Sequence, residues 1–263
     1  MSQLTLLTAK DVSKRFGGVQ ALTDVAFTIN RGEIYGLIGP NGAGKTSLFN
    51  VLTGIYEPDG GSFIFDGEPL DRVKPNEVAE RGIARTFQNI RLFQNLSALE
   101  NVMIGRHVRT KAGVFGAIFR DKATCAEEAA IERRAYELLE YVGVAKRAND
   151  LAKHLAYGDQ RRLEIARALA TEPKLLALDE PAAGMNATET QLLKRLLEDI
   201  RRDGTTILLI EHDMKLVMSV CDRVLVLDYG RKIAEDTAAA VQSDPRVIAA
   251  YLGSEVSLNL KGA

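Results

Sequence analysis

Residues 39–46 read GPNGAGKT, which satisfies G-x-x-x-x-G-K-[ST] at every position. These residue types suit one task. Glycines let successive backbone N–H groups curl around a phosphate, and the following helix adds its positive end. The lysine reaches β- and γ-phosphates, and the hydroxyl is offered to Mg²⁺. Gly39, Pro40, Asn41, Gly42, Ala43, Gly44, Lys45, Thr46 and Ser47 are the candidate phosphate-binding set, with Thr46 also a metal ligand. At ordinary residue usage the pattern arises by chance in a chain of this length with probability on the order of 1%. Here it also lies between a strand-like run and a helix-like one, as the chemistry requires. A second acidic element fits beside it. KLLALDEP (174–181) is an apolar strand ending in two acids. Asp179 is placed to hold the metal, directly or through water, and Glu180 to polarise an attacking water. A third apolar run ends in IEHD, and His212 there is placed to reach a γ-phosphate, because ligands of parallel sheets bind at the carboxyl ends of strands. His107 and His154 have no such context and read as structural. HLAYGDQRRLEIARAL (154–169) adds a helix whose first turn is crowded by a tyrosine, a glycine, an acid and an amide, the kind of helix start that holds an anion.

Around these residues the elements alternate. LTLLTA and VAFTI within residues 4–30 read as β structure, EIYGLIG (33–39) as a short buried strand, and 57–67 as a turn and strand. After the phosphate loop, Leu48, Val51 and Leu52 line one face of a helix that Gly54 stops. NLSALENV is a capping box with Ser97 at the N-cap and Glu100 at N3. Helical patterns then run to about residue 170, with Leu163, Ala166 and Ala170 on one side of the last. Strand signals return at 174–179, 205–211 and 223–228, with a helix over 189–204 between the first two. Strands alternating with helices make a largely parallel sheet with crossovers, so the helical block is an insertion between early and late strands.

The bulk composition narrows the class. The chain has 263 residues, 46% of them hydrophobic, enough for one sizeable core, and a formal net charge of −1. Without a basic surplus, nucleic acid is not an expected partner. Two cysteines, Cys125 and Cys221, with no CxxC, predict neither a disulfide framework nor a zinc site and a reducing compartment. The N-terminal residues lack the apolar core of a signal peptide, and no apolar run approaches the ~18–20 residues of a membrane span.

In order along the chain, these residues resemble the ATP-binding cassette ATPases. GPNGAGKT resembles their phosphate loop, LAYGDQ their signature, LLALDE their second acidic motif and PAAGMN (181–186) their D-loop. The resemblance implies roles. Glu180 is the catalytic base, Gln88 in TFQNIRLF the glutamine that meets metal and nucleotide at the entry to the helical insertion, and His212 the switch histidine. Phe16 stacks on adenine. Ala156, Tyr157, Gly158, Asp159 and Gln160 close over the ATP of the opposite subunit in a head-to-tail dimer. The implied fold is α/β: a P-loop NTPase core with a mostly parallel sheet, an N-terminal antiparallel β subdomain and an inserted α-helical subdomain. Residues 1–88 and 166–263 would form the core and 89–165 the helical subdomain.

LFQNLSALENV, YGDQRRLEIARAL, DEPAAGMN, TTILLIEHDMKLVM and AYLG narrow the resemblance to the ATP-binding subunits of branched-chain amino acid importers. Such subunits work in pairs, as copies or paralogues, at the cytoplasmic face of the membrane beneath two transmembrane permease subunits, and a solute-binding protein delivers the cargo. The segment near 105–130 is similar to the longer of the two ATPase types. Urea importer and lipopolysaccharide exporter ATPases share much of the pattern. A soluble cassette ATPase acting on DNA or ribosomes would carry a long coiled coil, a zinc-bearing insertion or a second cassette, and a small P-loop kinase would leave LAYGDQ unexplained. Two departures stand out. The family signature begins Leu-Ser-Gly-Gly, whereas Ala156 and Tyr157 replace its serine and first glycine, and Asn186 stands where the D-loop more often has Asp. Asp159 is expected to cap the outer side of its helix turn. The basic and aromatic residues of 105–122 (Arg106, Arg109, Lys111, Arg120 and Lys122 with Phe115, Ile118 and Phe119) read either as a solvated surface or as a docking segment near the membrane.

Overall fold

The late apolar runs form parallel strands on either side of the early 34–38 strand in a computed structural model that describes residues 5–70, 72–109 and 122–251. A six-stranded sheet has the order β10 (Arg231–Thr237), β9 (Arg223–Asp228), β3 (Ile34–Ile38), β8 (Thr206–Ile210), β7 (Leu175–Asp179), β6 (Ile83–Arg85). Its neighbours are parallel except for β10, which closes the edge antiparallel to β9. A separate antiparallel sheet has the order β2 (Val19–Asn30), β1 (Thr5–Phe16), β4 (Gly60–Phe65), β5 (Glu68–Pro69). The helices are α1 (Lys45–Leu52), α2 (Pro75–Arg81), α3 (Ala98–Arg106), α4 (Lys122–Tyr141), α5 (Tyr157–Leu169), α6 (Ala187–Arg202), α7 (Met214–Val220) and α8 (Ala238–Ser243).

The parallel strands read as continuous apolar runs because both of their faces are covered. Successive residues alternate between two cores. Ile34, Leu176, Leu178, Ile207, Leu209, Val224 and Val226 pack with the helices, while Tyr35, Leu37, Leu175, Leu208, Ile210, Leu225 and Leu227 pack beneath the antiparallel sheet. The helical core takes Leu163, Ala166 and Ala170 of the α5 stretch together with Val102 of α3 and Leu138 and Leu139 of α4. The Ser97–Glu100 capping box forms as expected: Ser97 Oγ accepts from Glu100 N–H at 3.2 Å and Glu100 accepts from Ser97 N–H at 2.7 Å.

The parallel register sets the spacing of the site. Leu37 pairs with Ile210, and Ile210 pairs with Asp179. Asp179 therefore ends its strand level with the start of the phosphate loop but two strands away, roughly 9–10 Å at the usual interstrand separation. β8 fills the gap and leads on to Glu211 and His212 just past its end.

Candidate active site

Five strand ends converge on one edge of the sheet: β3 leads to the phosphate loop, β6 to Gln88, β7 to Asp179 and Glu180, β8 to His212 and β9 to Tyr229. A cleft of about 390 Å³ opens there, lined by Val19, Gln20, Ala21, the continuous run Asn41–Ser47, Gln88, Glu180 and Tyr229. The loop leaves β3 and enters α1 through Gly44, whose φ is 101°. A Cβ on Gly44 would lie 2.7 Å from the Ala21 carbonyl oxygen, so the turn has room for glycine alone. Lys45 is buried, and its Nζ donates to the carbonyls of Gly39 (2.6 Å) and Pro40 (3.0 Å). Gly39 and Pro40 thus hold the lysine from behind instead of lining the cleft. Burial holds the Lys45 ammonium below its ordinary pKa, and the charges of Glu180 and Asp179 oppose that shift.

Asp179 is buried at the end of β7, and burial raises its pKa against the pull of the Arg85 guanidinium. Thr46 (hydroxyl), Gln88 (amide oxygen) and Asp179 (carboxylate) are all oxygen donors, the set a hard divalent cation prefers. No group of three or more His, Cys, Asp or Glu among the described residues could hold a metal alone. An ion here would need phosphate oxygens to complete its shell. Glu180 accepts from Gln88 Nε2 at 3.2 Å, and His212 Nδ1 lies 3.6 Å from the same carboxylate. Gln88, Glu180 and His212 therefore form one cluster on the rim. Phe16 is not on the cleft wall. Its ring packs edge-on against Tyr56 at 5.1 Å, and Val19, Gln20, Ala21 and Tyr229 line that end instead.

The Ala156–Gln160 segment lies outside this cleft, at the start of α5. Ala156 is the N-cap and offers no side-chain hydrogen bond. Gln160 Nε2 donates to the Leu155 carbonyl at 2.9 Å. The expected capping by Asp159 is not what forms. Its carboxylate pairs with Arg162 along the same helix, because an acid already inside the first turn is better placed for a cation three residues on than for the N–H groups before it. Gly158 is pressed against Glu189 of α6, whose Oε1 would be 2.6 Å from a Cβ there. Asn186 caps α6, accepting from Thr188 N–H (2.9 Å) and Glu189 N–H (3.0 Å), a role asparagine fills as well as aspartate.

Three features were not read from sequence. Glu211 is fully buried and accepts from Ala182 N–H (2.8 Å) and His212 N–H (3.2 Å), tying the D-loop to the histidine; burial raises its pKa. Its position inside IEHD was the available signal. Tyr229 is 84% exposed with a φ of 43°, an unusual backbone for an aromatic residue. Arg161 and Glu164 are buried beneath the Gln88 loop. Of the 105–122 segment, residues 110–121 lie outside the described residues; Arg106 pairs with Glu172 at 2.5 Å. No helix among the described residues is long and apolar enough to cross a membrane.

Known proteins match this chain along most of its length. A family model described as ABC transporter matches residues 22–183, and one described as branched-chain amino acid ATP-binding cassette transporter matches residues 231–257. The chain is 44% identical over 254 residues to the high-affinity branched-chain amino acid transport ATP-binding protein LivG of Escherichia coli (strain K12), covering 96% of this chain and 99% of that one. The crystal structure of the ADP conformation of MJ1267, an ATP-binding cassette of an ABC transporter, superposes with a TM-score of 0.83 at 31% identity, over 95% of this chain and 99% of the other. A dimeric post-hydrolysis structure of the cassette MJ0796 with ADP and Pi gives a TM-score of 0.76 at 25% identity, over 89% and 99%.

Proposed function

Since this chain belongs to the ATP-binding cassette (ABC) transporter family of ATPases, we propose that its hydrolysis of ATP drives the uptake of branched-chain amino acids. It would act at the cytoplasmic face of the membrane beneath two permease subunits, in a head-to-tail dimer with a second ATPase subunit, while a solute-binding protein delivers the cargo. The observation that carries the solute class is the match of residues 231–257 to the branched-chain family model, added to end-to-end similarity with LivG.

The residues divide the work. Backbone N–H groups of Asn41–Ser47 cradle the β-phosphate, and Lys45 exchanges its carbonyl partners for the β- and γ-phosphates. Thr46, Gln88 and Asp179 hold Mg²⁺, which when bound neutralises phosphate charge and polarises the γ-phosphoryl group. Glu180 orients and polarises the attacking water, with Gln88 and His212 beside it. Tyr229, the aromatic residue on the cleft wall, takes the adenine end in place of Phe16. The first turn of α5, Ala156 to Gln160, serves the nucleotide of the partner subunit. The permease docks in a groove of about 440 Å³ whose apolar wall includes Ile55, Val78, Phe87, Phe93 and Ile104. Ile55 and Phe93 are exposed there, which favours a protein partner.

The test is to co-purify the chain from detergent-solubilised membranes, reconstitute the complex in vesicles and measure ATP hydrolysis against candidate solutes. Stimulation by leucine, isoleucine or valine with their binding protein is expected. Stimulation by urea or lipopolysaccharide instead would overturn the solute class. A fully soluble protein stimulated by nucleic acid would overturn the transporter reading.

A further inference from the structure

Arg161 and Glu164 lie one turn apart on the inner side of α5, with side-chain exposures of 0% and 1% and an ion-pair distance of 3.1 Å. No step of the chemistry above uses them. Both side chains also reach the backbone of one loop. Arg161 Nη1 donates to the Phe87 carbonyl at 2.7 Å, and Nη2 donates to the Gln88 carbonyl at 2.8 Å. Glu164 Oε1 accepts from the Phe87 N–H at 3.4 Å and from the Arg91 N–H at 3.2 Å. Nη2 also donates to the Tyr157 hydroxyl at 3.1 Å, so the same guanidinium touches the first residue of α5.

A buried ion pair is a poor source of stability, since apolar residues of similar volume often do as well or better. Arg161 Nε adds to the cost, being buried without an acceptor. What apolar residues cannot do is fix backbone polar groups. The stretch between β6 and α3 has neither helix nor strand, and Gln88 lies in it. Its N–H and C=O groups must be met by side chains, and this pair meets four of them.

We propose that Arg161 and Glu164 are positioning residues that couple the two ATP sites of the dimer. The inference rests on the head-to-tail pairing put forward above. Gln88 serves the nucleotide of its own chain, and the start of α5 serves the partner's. Because the pair fastens the Gln88 backbone to α5, the helix cannot approach the partner's nucleotide without carrying the Gln88 loop with it. Occupancy of one site thereby sets the placement of Gln88 in the other, and hydrolysis becomes cooperative in ATP.

The experiment uses the reconstituted complex carrying Glu164→Gln, Arg161→Lys, or the double substitution Arg161→Met with Glu164→Leu. The double substitution keeps the space filled and removes all four bonds, so it stays informative if Glu164→Gln alone does not fold. On a Glu180→Gln background, binding of a fluorescent ATP analogue should stay within about two-fold of the parent, because the pair touches no part of the phosphate loop. In hydrolysis the Hill coefficient should fall toward 1 and kcat should drop, by up to about 100-fold for a misplaced catalytic group. Arg161→Lys, which restores one carbonyl contact, should be intermediate. In the unsubstituted complex, ATP should change amide exchange at residues 87–91 and 157–161 together. A folded double variant with parental rate and Hill coefficient overturns the coupling, as does a change in exchange at one segment without the other. A parent complex that neither dimerises with ATP nor hydrolyses it overturns the transporter reading instead.

Discussion

Glu180 holds a φ of 47°, in the left-handed region, while its N–H donates to the Ile210 carbonyl at 2.9 Å. That backbone costs a non-glycine residue roughly 1–2 kcal/mol, and strain of this kind collects at functional sites. Glu180→Gln should leave ATP binding intact and lower hydrolysis at least ~100-fold, the low end for loss of a general base; near-parental turnover in a steady-state assay would remove Glu180 from its role. Glu180→Gly should also abolish hydrolysis yet relieve the strain. Its expected gain of about 1 kcal/mol corresponds to a rise of ~2–4 °C in melting temperature. The two cysteines give an independent check of packing. Cys221 is buried and its thiol is pushed up to about 12 by burial, whereas Cys125 is exposed. At pH 8 an alkylating reagent should label Cys125 on the native chain and reach Cys221 only on unfolding, since the thiolate is the nucleophile. At this scale, sequence discloses chemistry wherever the partners are neighbours in the chain. The phosphate loop and the Asp179–Glu180 pair are local patterns. Arg161 and Glu164 are not, because at i,i+3 they look like any solvated pair and their backbone partners lie more than 70 residues away.

Helix α5 begins with an alanine where a hydroxyl would do two things. Ala156→Ser should stabilise the isolated chain through its N-cap by about 0.5–2 kcal/mol. It should also restore a donor toward the partner's γ-phosphate, where a charged hydrogen bond adds roughly 1.5–3 kcal/mol. Calorimetric melting reads the first effect. ATP-dependent dimerisation, measured by light scattering on a Glu180→Gln background, reads the second. A higher melting temperature with unchanged dimerisation would show that residue 156 does not reach the partner. Long elements were legible in outline: the parallel strands β3, β7, β8 and β9 fall within runs that periodicity marks, and α4 and α6 overlap such runs along most of their length. The short ones were not. α2, β6 and β10 are too brief or too polar to show a period, and β6 contributes only three residues to the sheet. β1 and β2 extend past their apolar stretches to twelve residues each, through bulged pairing that no local pattern announces.

At the scale of the whole molecule, the groove and the cleft share no lining residue, and the Phe87–Gln88 segment borders both. Phe93→Glu, at a half-exposed groove position, should leave folding and ATP binding within normal surface-mutation effects while abolishing co-purification with the membrane subunits; retained association would place docking elsewhere. The N-terminal β structure, the parallel core and the helical insertion follow from the order of apolar patterns. Which strands become neighbours does not, and that ordering governs how the chain comes off the ribosome. β3, made early, has both its partners, β8 and β9, in the last quarter of the sequence. A nascent chain cannot seat its phosphate loop until Asp228 has emerged, so the N-terminal strands wait with an apolar face uncovered. Ribosome-bound chains halted at residue 203 should fail to bind ATP and should recruit chaperones. Full-length chains held on a linker long enough to clear the ribosome should bind it.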